Sequence, residues 1–297
     1  MHASPVALVP EKANAQHYEL PPAFFDRVLG PHGKYSCAWF DAGVSSLEAA
    51  EARMLELTCA RAGLEDGMHV LDLGCGWGSL SLWIARHYPA CRVLAVSNSK
   101  LQRDHVRAAA ARHGLGRVEV RTADANVFDP AEAGPFDRVL SVEMFEHMRN
   151  WPVLFRRVRR ALTPEGRFFL HVFCHHAVPY LFEDEGPGDW MARHFFSGGI
   201  MPSFGLPGRF PEDLRVESRW WVDGRHYART AEAWLANLDR ARPQVLEILR
   251  PHHGDEAGRA LRRWRLFFLA VAELFGHRDG AEWGVGHYRM APVGASR

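Results

Sequence analysis

Cysteine is scarce in this chain, with five in 297 residues: Cys37, Cys59, Cys75, Cys91 and Cys174. The set is odd in number, scattered and free of any C-x-x-C pair. That excludes a disulfide framework and a zinc knuckle, and it fits a reducing, cytoplasmic setting. Excess charge is lacking too. Lys and Arg number 36 against 35 Asp and Glu, for a formal net charge of +1. Bulk attraction to nucleic acid is therefore not indicated. No stretch interleaves basic and aromatic residues along one face, so no nucleic-acid partner is expected. The run Arg156-Arg157-Val158-Arg159-Arg160 reads as a solvated helix face. Long apolar runs are missing as well. The longest near the C-terminus, Leu266 to Ala272, stops at Glu273, far short of the roughly 20 residues that span a bilayer. Stable membrane insertion is not expected. Residues 1–16 lack a basic region followed by a long apolar run, so no signal peptide is expected.

What is present is ample apolar material, 47% of the chain, enough for one large domain or a core with a sizeable insertion. Periodicity and Gly/Pro punctuation predict a helix over about 18–29. They predict a second over 46–62, capped by Ser45 or Ser46 and stopped by Gly63. Strands and helices then alternate: strands over 69–73, 92–96, 118–121, 136–142 and 167–173, and helices over 79–87, 100–113 and 151–162. This spacing predicts an α/β fold with a parallel sheet, helices on both faces, and ligands at the carboxyl ends of the strands. Beyond Cys174 the alternation fails. Residues 177–212 read as a covering loop with short helices, and Trp220 to Val222 as a short strand. A capping pattern at Thr230 predicts the start of a helix. A further helix is predicted over 258–275 and a last strand over 283–290. The chain thus divides into a tail and helical cap (1–64), a sheet core (65–176), and a covering helical region that ends in the last core strand (177–297).

The first strand of the alternation runs into Val70-Leu71-Asp72-Leu73-Gly74-Cys75-Gly76-Trp77-Gly78 and opens a helix. Glycine lets the backbone take left-handed angles and approach a ligand closely, and the helix start offers free N–H groups. A dinucleotide fingerprint spaces its glycines G-x-G-x-x-G. Here the spacing is G-x-G-x-G, with Ser79 where that pattern has its third glycine. Asp72 beside the loop would repel a pyrophosphate but suits a ligand carrying an ammonium group. D-x-G-x-G-x-G after the first strand resembles motif I of class I S-adenosylmethionine (SAM)-dependent methyltransferases. The resemblance implies a Rossmann-like sheet, mostly parallel with the last strand antiparallel, a helical N-terminal cap, and a helical insertion before the last strand. It implies SAM as cofactor, S-adenosylhomocysteine (SAH) as product, and Asp72 placed to hold the SAM ammonium. Cys75, between glycines, is expected to pack against the sheet, and Asp137 to be structural.

Glu143, Glu146 and His147 lie within Ser141-Val142-Glu143-Met144-Phe145-Glu146-His147-Met148, at the carboxyl end of a predicted strand. Two carboxylates and a histidine there form a candidate acid–base or substrate-orienting cluster. Leu71–Ala85, Val96–Gln102 and Ser141–Met148 together resemble the cyclopropane-fatty-acid-synthase-like methyltransferases, and within them the coclaurine N-methyltransferase group. The likeness extends through Tyr18–Pro21, Tyr35–Phe40, Phe182–Asp184, Asp189–Met191, Gly198–Pro202, Tyr227–Thr230 and Ala270–Gly276. It implies SAM contacts at Tyr35, Ser36, Gly74, Gly76, Ser97, Asn98, Gln102, Ala125 and Asn126. Ser97-Asn98 replace the acidic residue that many class I enzymes carry after the second strand, a departure shared with the cyclopropane-synthase-like group.

The resemblance leaves two acceptors. Amine methylation needs a neutral nitrogen, and freeing an alkyl ammonium of its proton at pH 7 costs roughly 4.6 kcal/mol. Glu146 and His147 are the candidate bases. Glu143 and the pair Tyr18 and Glu19 match other active-site positions of the amine-methylating group. Alkene methylation by cyclopropane synthases uses a bound bicarbonate held by a Cys, a Glu and a His, and Cys37, Glu146 and His171 fall at the matching positions. The C-terminal aromatics Trp264, Phe267, Phe268, Phe275 and Trp283 match the amine group, and aromatic walls suit a cationic amine; core packing explains Phe267, Phe268 and Phe275 equally well. The preferred reading is N-methylation of a small aromatic amine, with Phe267 and Trp283 in the substrate pocket. A lipid methyl or cyclopropane transferase is the alternative. A catalytically silent SAM-binding protein is the third reading, which the intact Glu-Glu-His cluster disfavours. His171, His175 and His176 lack carboxylates at metal-site spacing, so no metal is expected. The oligomeric state stays open, a homodimer included.

Overall fold

The computed structural model describes residues 3–8, 20–186 and 188–294. Among the described residues two helices precede the sheet. Helix α1 (Pro22–Val28) is an apolar turn pair burying Phe24, Phe25 and Val28; the expected start of this helix at Tyr18 lies outside the described residues. Helix α2 (Leu47–Ala62) is N-capped by Ser46, whose Oγ accepts from Ala49 N at 3.2 Å. It ends at Gly63, where φ of +64° supplies the left-handed cap.

The alternation that follows is β1 (His69–Leu73), α3 (Ser79–His87), β2 (Arg92–Ser97), α4 (Lys100–Arg112), β3 (Val118–Thr122), β4 (Phe136–Val142), α5 (Trp151–Ala161) and β5 (Leu162–His175). Next come the short hairpin strands β6 (Tyr180–Leu181) and β7 (Ile200–Met201), flanking α6 (Trp190–His194). The chain closes with β8 (Leu214–Val222), α7 (Gly224–Arg240), α8 (Arg242–His253), α9 (Ala257–Gly276) and β9 (Trp283–Pro292). The main sheet has the order β3-β2-β1-β4-β5-β9-β8. β1, β2, β3, β4 and β5 are parallel, and β9 runs antiparallel to both β5 and β8. The expected mostly parallel sheet with a reversed last strand is therefore observed. Strand order reverses between β1 and β4, and a ligand crevice opens at the carboxyl ends of such a pair.

Four expectations need correction. Thr230 does not start a helix: it lies inside α7, where its Oγ1 donates to His226 O and accepts from Ala38 N, tying the N-terminal segment to the covering helices. The true N-cap is Asp223, accepting from Arg225 N at 2.9 Å. Helix α8 was not anticipated, and it carries Pro251 inside it. Pro243 occupies a first-turn position, where its missing N–H costs nothing. The strand read at Trp220–Val222 is nine residues long, since β8 pairs with β9 from Leu214 onward. Finally, β5 starts at Leu162 rather than Arg167, because Leu162 already pairs with Phe136 before the Pro164-Glu165-Gly166 bend shifts the register.

Apolar burial forms three main bodies. One face of the sheet packs Leu71, Val139, Phe168 and Leu170 against Trp151, Leu154, Phe155 and Val158 of α5. The other packs Val70, Val93, Leu140 and Phe169 against α2 and α3. The third joins Phe24, Phe25 and Val28 of α1 to Trp234 of α7, Val245 and Leu249 of α8, and Trp264 and Phe268 of α9. N-terminal cap and C-terminal helices thus share one hydrophobic body over the crevice.

Candidate active site

The crevice has two lobes that share Gly74, Gly76, Gln102 and Glu143. The larger spans about 840 Å³ and the smaller about 590 Å³, open mouths included. The glycine loop shapes both. Gly74 (φ +88°) turns the chain so tightly under the β4 end that a Cβ there would stand 2.7 Å from Met144 Cβ. At Gly76 (φ +53°) a Cβ would meet no atom within 4 Å, so the backbone stands bare toward the crevice. Gly74 N and Cys75 N both donate to Val96 O, locking the loop to β2.

Larger-lobe walls come from Leu73, Val96, Ala123, Phe128, Met144 and Met148. Ser97, Asn98 and Gln102 line it too, as does Ala125. Ser97 Oγ donates to Gln102 Oε1 at 2.6 Å and accepts from Ser99 N, which fixes the carboxamide and leaves its Nε2 buried with no partner among the described residues. That N–H₂ can donate to hydroxyl oxygens, where an acidic residue would instead accept from the hydroxyls. Asn126 differs from expectation. Its side chain exchanges two hydrogen bonds with the Ala7 backbone and does not line either lobe. The Ala123–Phe128 loop is held by Arg157, whose Nη1 donates to Ala125 O and Phe128 O and whose Nη2 donates to Asn126 O. The solvated-face reading of the basic cluster is thus corrected at this residue, while Arg156, Arg159 and Arg160 are exposed.

Tyr35, Ser36, Asp72 and Ser79 line the smaller lobe, together with Lys34. Asp72 is buried and accepts from Ser81 Oγ at 2.6 Å; burial pushes its pKa up to about 6. Lys34 is also buried, its ammonium donating to Ser36 Oγ. Burial lowers its pKa while the charge of Glu143 raises it. Ser79 Oγ, at the start of α3, is buried without a partner among the described residues. One lobe therefore holds a buried acid, a buried base and an unsatisfied hydroxyl.

Where the lobes meet stands Glu143, the first residue past β4, with φ of +47°. A non-glycine residue in that region is strained, and such strain persists where surrounding contacts over-determine it. Here they do. Glu143 N donates to His171 O. Its Oε1 accepts from Cys37 N at 3.0 Å and from His171 Nε2 at 3.1 Å, and its Oε2 accepts from Tyr227 Oη at 2.6 Å. Burial raises the Glu143 pKa, while Lys34, Tyr227 and Cys37 N pull it back. Glu146 is different. It is fully buried, lines neither lobe, and its Oε1 accepts from Phe173 N at 2.7 Å while Oε2 has no partner among the described residues. Burial first, then the charge of Glu143, push its pKa well up. Of the two acids, Glu143 with three donors is the better furnished to carry a negative charge, and Glu146, with one donor and its second oxygen unpartnered among the described residues, the better placed to keep a proton.

His147 lines the larger lobe and stacks on Phe196 with ring centroids 4.5 Å apart. Phe267 stacks on Phe195 at 4.3 Å, and the Trp283 indole donates to Tyr180 Oη; neither lines the two lobes. Tyr18 and Glu19 lie outside the described residues. Cys75 packs with Ala95, Val106 and Val120, and Asp137 Oδ2 accepts from His69 N, both as expected. The three cysteine, glutamate and histidine side chains expected around a bicarbonate are not arranged for one. Cys37 N–H and His171 Nε2 are both directed at Glu143, and the Cys37 thiol at Ala38 O. A bicarbonate does not fit this donor set. Among the described residues no cluster of His, Cys, Asp or Glu is placed to hold a metal, and no helix is long and apolar enough to cross a membrane. Lys34 and Tyr227 were not picked out as site residues. Tyr227 falls in a segment of resemblance, but no local spacing marks either one.

Residues 9–281 match the family described as mycolic acid cyclopropane synthetase. The chain is 35% identical, over 95% of its length and 79% of the relative's, to an (S)-coclaurine N-methyltransferase of Thalictrum flavum subsp. glaucum. It is 31% identical to the cyclopropane-fatty-acyl-phospholipid synthase of Escherichia coli (strain K12), over 91% of this chain and 66% of that one. It superposes on the crystal structure of a coclaurine N-methyltransferase bound to N-methylheliamine and SAH with a TM-score of 0.93 at 35% identity, covering 98% of this chain and 84% of that one. With motif, sheet and two-lobed crevice in agreement, the chain belongs to the cyclopropane-synthetase family and is a SAM-dependent methyltransferase.

Proposed function

We propose that this enzyme transfers the SAM methyl group to the nitrogen of a small aromatic amine of the tetrahydroisoquinoline type. The observation that carries the reading is the Glu143 anion, held by three donors where the two lobes meet. The likeness to the coclaurine N-methyltransferases supports it.

SAM, when bound, supplies an electrophilic methyl on a sulfonium. Its amino-acid end suits the smaller lobe, where Asp72 faces the ammonium, Lys34 and Ser36 the carboxylate, and Tyr35 with Gly74 and Gly76 the chain between. Its adenosine suits the larger lobe, with Ser97, Asn98 and Gln102 toward the hydroxyls and Ala125 beside the base. The Glu143 carboxylate attracts the protonated amine and orients it, and its three donors spread its charge so that it remains an acceptor rather than a base. His147 takes the ammonium proton, which frees the lone pair for in-line attack. Glu146, already protonated, does not take it and instead fixes the β5 end through Phe173 N. Bicarbonate has no part in this reading. The five unpaired, buried thiols support a reducing, cytoplasmic setting.

Steady-state N-methylation of a tetrahydroisoquinoline amine tests the roles. Glu143→Gln is expected to raise the amine KM about tenfold, and His147→Ala to lower kcat about 100-fold. Wild-type values for both variants would overturn the assignment.

A further inference from the structure

Behind Glu143 a line of side chains runs from the site to the protein surface. Glu143 Oε1 meets His171 Nε2 at 3.1 Å. His171 Nδ1 meets His287 Nε2 at 2.9 Å. His287 Nδ1 meets Arg61 Nη1 at 2.8 Å. Both histidines are fully buried, paired across the β5–β9 register. Arg61, in the last turn of α2, is half-buried, its guanidinium 5.6 Å from the Trp39 ring and 5.1 Å from the Trp220 ring.

Hydrogen-bond chemistry gives this line one direction. A guanidinium donates and never accepts. His287 Nδ1, facing it, must be the acceptor, so the single proton of a neutral His287 is on Nε2. That proton points at His171 Nδ1, which in turn must accept. The His171 proton is then on Nε2, pointing at Glu143 Oε1. An imidazolium at either position would set two N–H groups against each other or demand a histidine with no proton at all. Burial lowers the pKa of both rings, with Arg61 and Lys34 acting in the same sense on each, which agrees with neutral forms.

We infer that Arg61 is a positioning residue that, through His287 and His171 locked as Nε2–H tautomers, keeps a donor aimed at the Glu143 carboxylate and closes this route to proton exit. Arg61 takes up no proton, so the line is a support and not a wire; the proton released by the acceptor leaves through the crevice, on the His147 side. The link to the amine rests on the function proposed above, but the tautomer assignment does not.

The test is long-range ¹H–¹⁵N correlation NMR on histidine-labelled enzyme with SAH, with His171→Asn and His287→Asn used to assign the two rings. Both rings are expected as neutral Nε2–H tautomers near pH 7.5. An imidazolium or an Nδ1–H tautomer at either ring would overturn the inference, whether or not any amine is turned over. Kinetics add a second arm. Arg61→Met is expected to raise the amine KM about three- to tenfold with the SAH Kd unchanged, and Arg61→Lys, which keeps a donor, to recover most of that loss. A folded Arg61→Met enzyme with a wild-type amine KM and wild-type histidine signals would also overturn it. If Arg61→Met does not fold, the wild-type spectrum decides alone.

Discussion

Replacing Asp72 by asparagine should make the protein more stable and its site worse. Asp72 is fully buried at the end of β1, with Ser81 Oγ as its side-chain donor. Burial moves its pKa from 3.8 to about 6. An acid whose folded pKa is raised loses stability as pH climbs from the unfolded value through the folded one. Fully ionised, Asp72 therefore costs about 3 kcal/mol. Asparagine, neutral like the protonated acid, removes that cost, which is already net of the Ser81 bond. The gain at pH 8 is about 3 kcal/mol, a rise in Tm of roughly 5 °C. At pH 5 about half of the ionisation cost is already gone, so the gain should shrink to about 1.5 kcal/mol. The same change removes the carboxylate that faces the SAM ammonium, and SAH affinity should fall tenfold or more. Urea unfolding at pH 8 and pH 5, with calorimetric SAH titration, reads all of this. An Asp72→Asn protein less stable than wild type at pH 8, or one binding SAH as tightly, would refute the reasoning.

Glu146→Gln should retain activity within about threefold, because it replaces a protonated acid by a neutral group of the same shape; a collapse of kcat would make Glu146 the base. Gly74→Ala should destabilise the fold by about 2–4 kcal/mol, from the left-handed backbone and the close approach of Met144, as read by denaturant midpoint. Arg157→Ala frees three carbonyls of the Ala125–Phe128 loop. It should weaken SAH binding about tenfold with little change in amine KM; equal effects on both would argue against a role confined to that loop.

The sheet was legible because its signals are local. Val70 to Leu73 is a run of buried residues between turn residues, and the three glycines leave few conformations but a tight loop. The fate of a polar side chain is not local. Glu143 and Glu146 are three residues apart and alike in sequence, yet one receives donors from three distant segments and the other is sealed under Phe173. Arg157 looks like its neighbours in the basic run and differs only because α5 turns it toward the loop. Thr230 showed a capping pattern, but Asp223 caps α7 about two turns earlier, and the threonine hydroxyl serves Ala38 instead. Lys34 acquires its role from Glu143 and Arg61 from His287, neighbours distant in sequence that no spacing along the chain reveals.

The most direct test of the central claim follows the methyl group itself. Enzyme with methyl-labelled SAM is given tetrahydroisoquinoline amines and, in parallel, vesicles of unsaturated phospholipid. The account predicts label on the amine nitrogen and none in the lipid. Label in the lipid fraction, lost in Cys37→Ser, would contradict it.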